Sequence, residues 1–126
     1  MAKQVVSTDK APGAIGPYSQ AVVVNGFVYA SGQLGMDANG VLQGDTAAEQ
    51  AVQSIANIQE ILKAAGSDIS KVVKTTVFLD DINDFVAVNE VYGKYFTEPY
   101  PARSAVEVAN LPKGAKVEIE VIATVE

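Results

Sequence analysis

The chain contains one arginine, Arg103, in the stretch YPARSAVEV (residues 100–108). The stretch alternates in polarity like a β-strand, and its arginine follows Pro99 and Pro101, which restrict the backbone that leads into the strand. A guanidinium group can bind a carboxylate through two parallel, charge-assisted hydrogen bonds. A small carboxylic acid is therefore a natural ligand. A solvated charge at the rim of a sheet is the alternative, and composition alone favours it.

Two carboxylates on the last strand-like run could act together with this arginine. Alternation in residues 115–125 places Glu118 and Glu120 on one face of a strand and apolar side chains on the other. In residues 103–108 the same rule separates Arg103 from an apolar face. Apolar faces are expected against the helices, so Arg103 and the two carboxylates are predicted to share the opposite face of the sheet. Cross-strand ion pairs are the simplest use of such a face.

The residue types that the chain lacks restrict its chemistry further. Its 126 residues include no cysteine and no histidine. This excludes thiol nucleophiles, disulfides, Ser-His and Cys-His triads, and metal sites built from these ligands. The remaining groups are arginine, lysine, tyrosine, hydroxyls, carboxylates, backbone amides and water. The formal net charge is −6 and no basic run occurs, so nucleic acid is not an expected partner.

Four other positions are candidates for a binding site, each with a structural alternative. Tyr18 follows a Gly-Pro loop in GPYSQA, where an aromatic ring usually covers the core. Ser31 and Gly32 end the run FVYASGQ, where glycine either admits close approach of a ligand or merely ends a strand. Asn89 lies beside the apolar stripe of a predicted helix, where its amide needs partners. It either lines a pocket or caps a loop.

The elements that would position these residues begin with a hairpin and a long helix. Asn25-Gly26 is the pair typical of a tight β-hairpin. Thr46 and Glu49 have the spacing of a helix capping box, and Gly66 follows as a stop. Apolar residues at helical spacing predict one buried stripe between these ends, formed by Ala48, Ala51, Val52, Ile55, Ile58 and Leu62.

The whole pattern predicts a mixed six-stranded sheet with two helices on one face, in a single domain over residues 1–126. A second helix is expected over residues 82–96, ended by Pro99 and Pro101. One helix layer leaves the other sheet face uncovered, which predicts assembly with further copies of the chain. The predicted strands are residues 3–6, 21–24, 27–33, 71–79, 103–108 and 115–125.

Several motifs together resemble the RidA/YjgF family of enamine/imine deaminases. They are GPYSQA, YASGQLG, VVKTTVFLDDINDF with the VN that follows, and YPARSAVEVANLPKGAKVEIEVIA, which cover essentially the whole chain. The resemblance implies a chorismate-mutase-like α/β (α+β) fold and a homotrimer with a central barrel and pockets between subunits. It also implies hydrolysis of 2-imino acids and enamines, released by pyridoxal-phosphate enzymes, to 2-oxo acids and ammonia. Neither a cofactor nor a metal is required.

The resemblance also assigns residues position by position. The family's carboxylate-binding arginine matches Arg103, and the acidic residue that positions the hydrolytic water matches Glu118. Some members have cysteine where this chain has Ala105, so a thiol is not expected in the mechanism or its regulation. The residues implied to bind substrate are Tyr18, Ser31, Gly32, Asn89 and Ala105.

Two functions remain open at this stage. A protonated imine is already electrophilic, so its hydrolysis needs a positioned water and modest proton transfer, which this residue inventory can supply. The alternative is a non-catalytic trimeric binder or sensor of small 2-oxo or carboxylic acids, and Glu118 distinguishes the two. Neither a signal-peptide pattern nor an apolar run of about 18 residues is present, so a cytoplasmic location without a membrane partner is expected.

Overall fold

The computed structural model describes residues 2–125, and in these residues it contains six strands and two α-helices. The predicted order β-β-β-α-β-α-β-β is confirmed, and element ends differ from the predictions by three residues at most. A 3₁₀ turn, Ile82–Asp84, replaces the first turn predicted for the second helix. The strands are β1 (Gln4–Val6), β2 (Ala21–Val24), β3 (Phe27–Leu34), β4 (Val72–Leu79), β5 (Ala102–Glu107) and β6 (Val117–Thr124), and the helices are α1 (Ala47–Ala64) and α2 (Phe85–Tyr95).

The six strands form one mixed sheet in the order β1-β2-β3-β6-β4-β5. All neighbours are antiparallel except β4 and β5, which are parallel because α2 carries the chain back to the starting edge. The strand that carries Arg103 is therefore an edge strand, whereas β6 lies inside the sheet between β3 and β4. The predicted mixed six-stranded α+β fold is confirmed.

Helix α1 begins with the predicted capping box. The Thr46 hydroxyl accepts from the Glu49 backbone N–H at 3.1 Å, and the Glu49 carboxylate accepts from the Thr46 N–H at 3.1 Å. The Thr46 hydroxyl also donates to the Glu49 carboxylate at 3.0 Å. This hydrogen bond, followed by those from the backbone N–H groups of Thr46 and Asp45, lowers the pKa of Glu49. The helix ends before Gly66, whose φ of +83° suits glycine.

The predicted stripe on α1 is wrong at one position. Val52 is 43% exposed, whereas Ile61, which was not predicted, is fully buried. Val52 follows Ala51 directly and lies about 100° around the helix from it, outside the buried face. Polar residues take part of that face instead: Gln50, Ser54 and Asn57 are all buried.

Both helices pack on one face of the sheet, as predicted. On β6 the four alternate apolar residues are buried beneath α1, which crosses β3 and β6 and contacts α2 at its side. These residues are Val117, Ile119, Val121 and Ala123. None of the helices within residues 2–125 is long and apolar enough to cross a membrane.

The prediction that Arg103 lies on the face opposite to the helices is wrong. The parallel register pairs Arg103 with Thr75 and Ala105 with Val77. Thr75 and Val77 are buried on the helix side, and paired residues point to the same face. Because β5 is an edge strand, a polar side chain on its helix side can still reach solvent, so polarity did not indicate which face is covered.

The other face of the sheet carries apolar side chains that nothing in residues 2–125 covers. Tyr29 and Phe27 of β3 alternate with the buried Val28 and Ala30 and are exposed, and Val106 of β5 is exposed as well. An uncovered apolar layer of this kind is typical of a surface that another molecule covers. Assembly of several chains stays a prediction.

Candidate functional site

Arg103 lies in a cleft of about 430 Å³ between α2 and the start of β5. One terminal N–H of the guanidinium (NH1) donates to the Asn89 side-chain oxygen at 2.6 Å. Asn89 therefore lines a pocket and does not cap a loop. Among residues 2–125 the single ion pair joins Lys63 and Glu60, so no carboxylate there neutralises Arg103. A cation oriented by a neutral amide, beside an open cleft, is suited to binding an anion.

Two aromatic rings also contact the guanidinium. Its central carbon lies 4.8 Å from the centroid of the Tyr92 ring and 5.2 Å from that of Phe85. The Tyr92 hydroxyl is 2.8 Å from Thr75 Oγ1 in a buried hydrogen bond. We refer to Arg103, Asn89, Phe85 and Tyr92 as the arginine half-site. Ala105 lies on the same face, half-buried against the core, where its methyl group offers no polar contact.

Glu118 lies in a second, larger cleft of about 710 Å³. Tyr18, Ser31 and Gly32 line the same cleft. We refer to these four residues as the carboxyl half-site. Ser31 and Gly32 fall where the pairing of β3 with β6 shifts register, between Ala30 and Gln33. Such bulges redirect side chains and are common beside functional sites.

Gly32 provides the space that the Glu118 side chain occupies. A Cβ atom at position 32 would lie 2.7 Å from Glu118 Oε2 and 2.8 Å from its carboxyl carbon, closer than such atoms approach. Any other residue at position 32 would push the carboxyl group aside. Gly32 was predicted either to admit a ligand or to end a strand. In the structure, the space beside Gly32 is filled by the carboxyl group of Glu118.

The surroundings of Glu118 favour its protonated form. Partial burial raises the pKa of this carboxyl group, and the negative charge of Glu120 raises it further. Desolvation disfavours the charged form of an acid, and a like charge has the same effect. Glu118 therefore holds a proton at a higher pH than an ordinary glutamate, which suits a group that accepts and returns protons.

Backbone contacts hold the other two residues of the carboxyl half-site. The Ser31 hydroxyl donates to the Ser19 carbonyl at 2.6 Å, and its N–H donates to the Gln20 carbonyl at 2.9 Å. Tyr18 is 52% exposed, so the alternative that its ring covers the core is wrong. It lies at the rim of the cleft.

Several buried polar residues that support this half-site were not predicted. Gln20, 3% exposed, accepts from the Thr8 N–H at 2.7 Å and donates to the Pro12 carbonyl at 2.7 Å, which holds the loop before Tyr18. On α1, Ser54 donates to the Gln33 carbonyl at 2.7 Å. Asn57 donates to the carbonyls of Leu34 and Met36 at 3.2 and 2.7 Å.

The signal for these α1 residues was present in the sequence. Polar residues recur at positions 50, 54 and 57, at helical spacing inside the apolar stripe. A buried polar group needs a partner. Here the partners are the backbone groups of β3 and of the segment that follows it, so α1 holds the wall of the cleft from behind.

The two half-sites lie on opposite faces of the sheet. Arg103 pairs with Thr75 and Glu118 pairs with Phe78, and positions 75 and 78 of β4 point to opposite faces, because side chains alternate along a strand. Arg103, Asn89 and Ala105 are thus brought together, as are Tyr18, Ser31, Gly32 and Glu118. The chain does not bring the first group to the second.

The sequence and the fold of the chain have counterparts in known proteins. Residues 8–125 match the family model described as Endoribonuclease L-PSP. The chain belongs to this family. The human 2-iminobutanoate/2-iminopropanoate deaminase is 58% identical over 122 residues, which cover 96% of this chain and 89% of the human protein. The predicted membership of the RidA/YjgF family is confirmed.

Relatives of known structure share the fold of this family member. The crystal structure of E. coli TdcF with bound serine superposes with a TM-score of 0.91 at 43% identity, covering 98% of this chain and 99% of that chain. The E. coli YjgF gene product superposes with a TM-score of 0.90 at 46% identity, covering 96% of this chain and 98% of that chain.

Proposed function

We propose that the chain is a hydrolase that converts small 2-imino acids and their enamine tautomers to 2-oxo acids and ammonia. The observation that carries this proposal is Arg103, a cation held by neutral partners beside an open cleft. It suits the carboxylate that every 2-imino acid contains. The deaminase names of relatives such as the human protein support the same reaction.

We further propose that each active site forms between two copies of the chain in a homotrimer. Arg103 and Glu118 occupy opposite faces of one sheet, so one chain cannot apply both to a small substrate. The exposed apolar face around Tyr29 and Val106 supports assembly. In the assembly, the arginine half-site of one copy would meet the carboxyl half-site of the next.

The reaction needs only positioning and proton transfer. Arg103 binds the substrate carboxylate through its free N–H groups and places the imine carbon beside Glu118 of the other copy. The ionised Glu118 accepts a proton from water as the water oxygen attacks the carbon of the protonated imine. This forms a carbinolamine. Glu118 then returns the proton to the nitrogen. As the C–N bond breaks, the ionised Glu118 accepts the proton of the carbinolamine hydroxyl, and the 2-oxo acid forms. Glu118 passes this proton to the departing ammonia.

The raised pKa of Glu118 suits both halves of this cycle. An acid whose pKa lies closer to neutrality is a stronger base when ionised and still gives its proton back. Tyr18 and Ser31, at the rim and wall of the cleft, enclose the substrate. No side-chain nucleophile takes part, so Ala105 in place of a thiol leaves the mechanism unchanged.

The alternative function is a trimeric binder or sensor of small carboxylic acids. The serine bound in the related TdcF structure supports it, since the same arginine would serve a binder. Cleavage of RNA, which the family description names, has less support. The chain has a net charge of −6 and no histidine. A cytoplasmic location and the absence of a nucleic-acid partner stay predictions.

One assay separates the enzyme from the binder. A threonine dehydratase generates 2-iminobutanoate in the presence of semicarbazide, which traps the free imine, and release of 2-oxobutanoate is followed with and without the protein. We expect faster release with the protein. Unchanged release over a range of amino-acid-derived imines, together with calorimetric binding of 2-oxobutanoate, would establish the binder instead.

Matched variants make the assay specific for the proposed residues. Arg103→Ala and Glu118→Gln are expected to remove the acceleration. Lys94→Ala and Glu90→Gln remove a charge of the same sign from exposed positions on α2 and are expected to retain it. Light scattering on all four variants tests whether assembly persists, so that loss of the assembly is not mistaken for loss of chemistry.

A further inference from the structure

We infer that Phe85 and Tyr92 form an aromatic support that orients the Arg103 guanidinium before substrate binds, and that Thr75 holds the Tyr92 ring in place. This inference rests on the proposed function for its kinetic consequence, whereas its structural consequence can be measured without any activity. Phe85, Tyr92 and Thr75 act here as positioning residues.

The contacts place both rings within reach of the cation. The guanidinium carbon is 4.8 Å from the Tyr92 centroid and 5.2 Å from the Phe85 centroid. A cation within about 6 Å of a ring centroid is attracted by the negative face of the ring. With the hydrogen bond to Asn89, the guanidinium of an otherwise exposed side chain has three separate contacts with α2.

The Tyr92 ring is itself buried and held by two contacts. It is 5% exposed and stacks on Phe96, with centroids 4.3 Å apart and planes inclined by 27°. Its hydroxyl and Thr75 Oγ1 share a buried hydrogen bond of 2.8 Å. Burial also raises the pKa of Tyr92, so the phenol stays neutral and offers no phenolate to compete for the guanidinium.

The chemistry of this support explains why it consists of rings and an amide. A carboxylate partner would orient Arg103 equally well, but the substrate carboxylate would then have to displace it. Rings and an amide oxygen orient the cation and leave its charge available. An arginine that is already ordered also loses less side-chain freedom when the ligand binds.

The kinetic effect should fall on binding and not on the chemical step. The carboxylate of the substrate is bound in the same way before and during water attack, so weaker support for Arg103 weakens both states equally. Loss of such uniform binding raises KM and leaves kcat nearly unchanged. A defect in Glu118 would do the reverse.

The first experiment uses the fact that Arg103 is the only arginine in the chain. Labelling with ¹⁵N-arginine yields a single Nε–Hε signal that needs no assignment. In the ligand-free protein we expect this signal shifted by the ring currents and restricted in motion, with an order parameter above about 0.6. In Phe85→Leu the shift and the restriction should decrease. In Tyr95→Leu, which changes an α2 aromatic residue packed on the core away from the guanidinium, they should not.

The second experiment measures ligand binding and turnover in the same variants. For Phe85→Leu we expect Kd for 2-oxobutanoate and KM for 2-iminobutanoate to rise about five- to tenfold, with kcat within about twofold. Phe85→Tyr keeps an aromatic ring, so its Kd and KM should stay close to the wild-type values. Thr75→Val should raise Kd and KM less than Phe85→Leu, by about two- to threefold. If Phe85→Leu does not fold, Tyr92→Phe takes its place in the test. This variant keeps the ring and removes the same hydrogen bond as Thr75→Val, so the two variants should have the same Kd.

Each outcome of these experiments either agrees with the inference or overturns it. A mobile, unshifted arginine signal in the wild-type protein would overturn the inference, as would an unchanged Kd in a folded Phe85→Leu variant. A fall in kcat at constant KM would also overturn it. If the wild-type protein binds 2-oxobutanoate but shows no deaminase activity, the proposed function fails. In that case the arginine Nε–Hε signal and the Kd for 2-oxobutanoate still test whether the two rings orient Arg103.

Discussion

The two half-sites reach a defined geometry by different means. On the edge strand β5, Arg103 is oriented by side chains of one helix, through an amide and two rings. Inside the sheet, Glu118 is positioned by main-chain features: a register shift in β3 and a glycine that leaves room for the carboxyl group. A binding cation at an edge must be ordered by its neighbours, whereas a carboxyl group between central strands is ordered by the sheet.

Within one chain, the separation of the two groups keeps them from forming an ion pair. If Arg103 and Glu118 lay side by side on one face, as polarity predicted, they would form an ion pair. The pair would neutralise the arginine and lower the pKa of the glutamate. On opposite faces, Arg103 has no carboxylate partner within residues 2–125, and the pKa of Glu118 is raised. Within one chain, Arg103 thus stays available to an anion and Glu118 keeps its raised pKa.

The largest expected effect comes from placing the two defects in different copies. Arg103→Ala and Glu118→Gln should each lower kcat/KM by about a hundredfold or more. If the two variants are unfolded together and refolded as a mixture, about a quarter of the sites in a randomly mixed cyclic trimer receive an intact residue of each kind. We expect recovery of about a quarter of wild-type activity.

The double variant is the control for this mixture. A chain that carries both substitutions, refolded with wild type, should reduce activity to about the same quarter, since random mixing gives the same share of intact sites. If the mixture of single variants stays inactive while the refolded wild type is active, the two residues act within one chain, and the proposed shared site is wrong.

A smaller effect is expected from the glycine that makes room for Glu118. Gly32→Ala places a methyl group against the carboxyl group. The side chain can swing away, so stability should change little, but the displaced carboxyl group should lower kcat by about tenfold or more, because water attack depends on its position. Steady-state kinetics with thermal unfolding measures both.

Removing a contact of α1 with the segment after β3 should affect the carboxyl half-site and leave the arginine half-site unchanged. Asn57→Ala leaves the buried carbonyls of Leu34 and Met36 without their donor, which should lower the free energy of unfolding by about 1–3 kcal/mol. Urea denaturation measures this loss. The kcat should fall severalfold while the Kd for 2-oxobutanoate, set by Arg103, stays within about twofold of wild type. An equal change in Kd would mean that the half-sites are not independent.

The smallest expected effect concerns pH. The charge of Glu120 contributes to the raised pKa of Glu118, after burial, so Glu120→Gln should lower that pKa. The acid limb of the kcat/KM profile should then move to lower pH by less than about one unit, because burial remains. A profile of activity from pH 4 to about 8 tests this. A shift toward higher pH would contradict the assignment of Glu118 as the titrating group.

Stability should follow the same titration with a defined sign. A carboxyl group whose pKa is raised by folding stabilises the native state when protonated, and this contribution is lost as pH rises through the raised pKa of Glu118. Glu120→Gln brings the pKa of Glu118 closer to its value in the unfolded chain, so less stability should be lost as the pH rises. Glu49 has the opposite sign: its lowered pKa gives a contribution that is lost as pH falls through that lowered value.

Local signals were sufficient for much of the fold. Asn25 and Gly26 adopt the positive φ values of a tight hairpin, 54° and 78°, because few other residues tolerate them. Thr46 and Glu49 form their capping box within four residues. Since these contacts form between neighbours in the chain, no knowledge of the tertiary structure was needed to predict them.

The site was predictable only in part. Arg103, Glu118 and the other candidates were named from the motifs. The contacts of Phe85 and Tyr92 with Arg103, and those of Asn57 with the segment after β3, join residues 11 to 23 positions apart. Periodicity reports which residues are buried. It does not report what a buried amide or ring will meet, because that depends on how helices pack on strands.

The sequence by itself determined the element types, the buried face of β6 and the family to which the chain belongs, because these depend on spacing and on shared motifs. Only the tertiary structure decided the face on which Arg103 lies. Alternation gives two faces for any strand, and at an edge strand neither needs to be apolar. The parallel pairing of β5 with β4, imposed by the crossover through α2, placed Arg103 beside Thr75 and left Glu118 on the other side of the sheet.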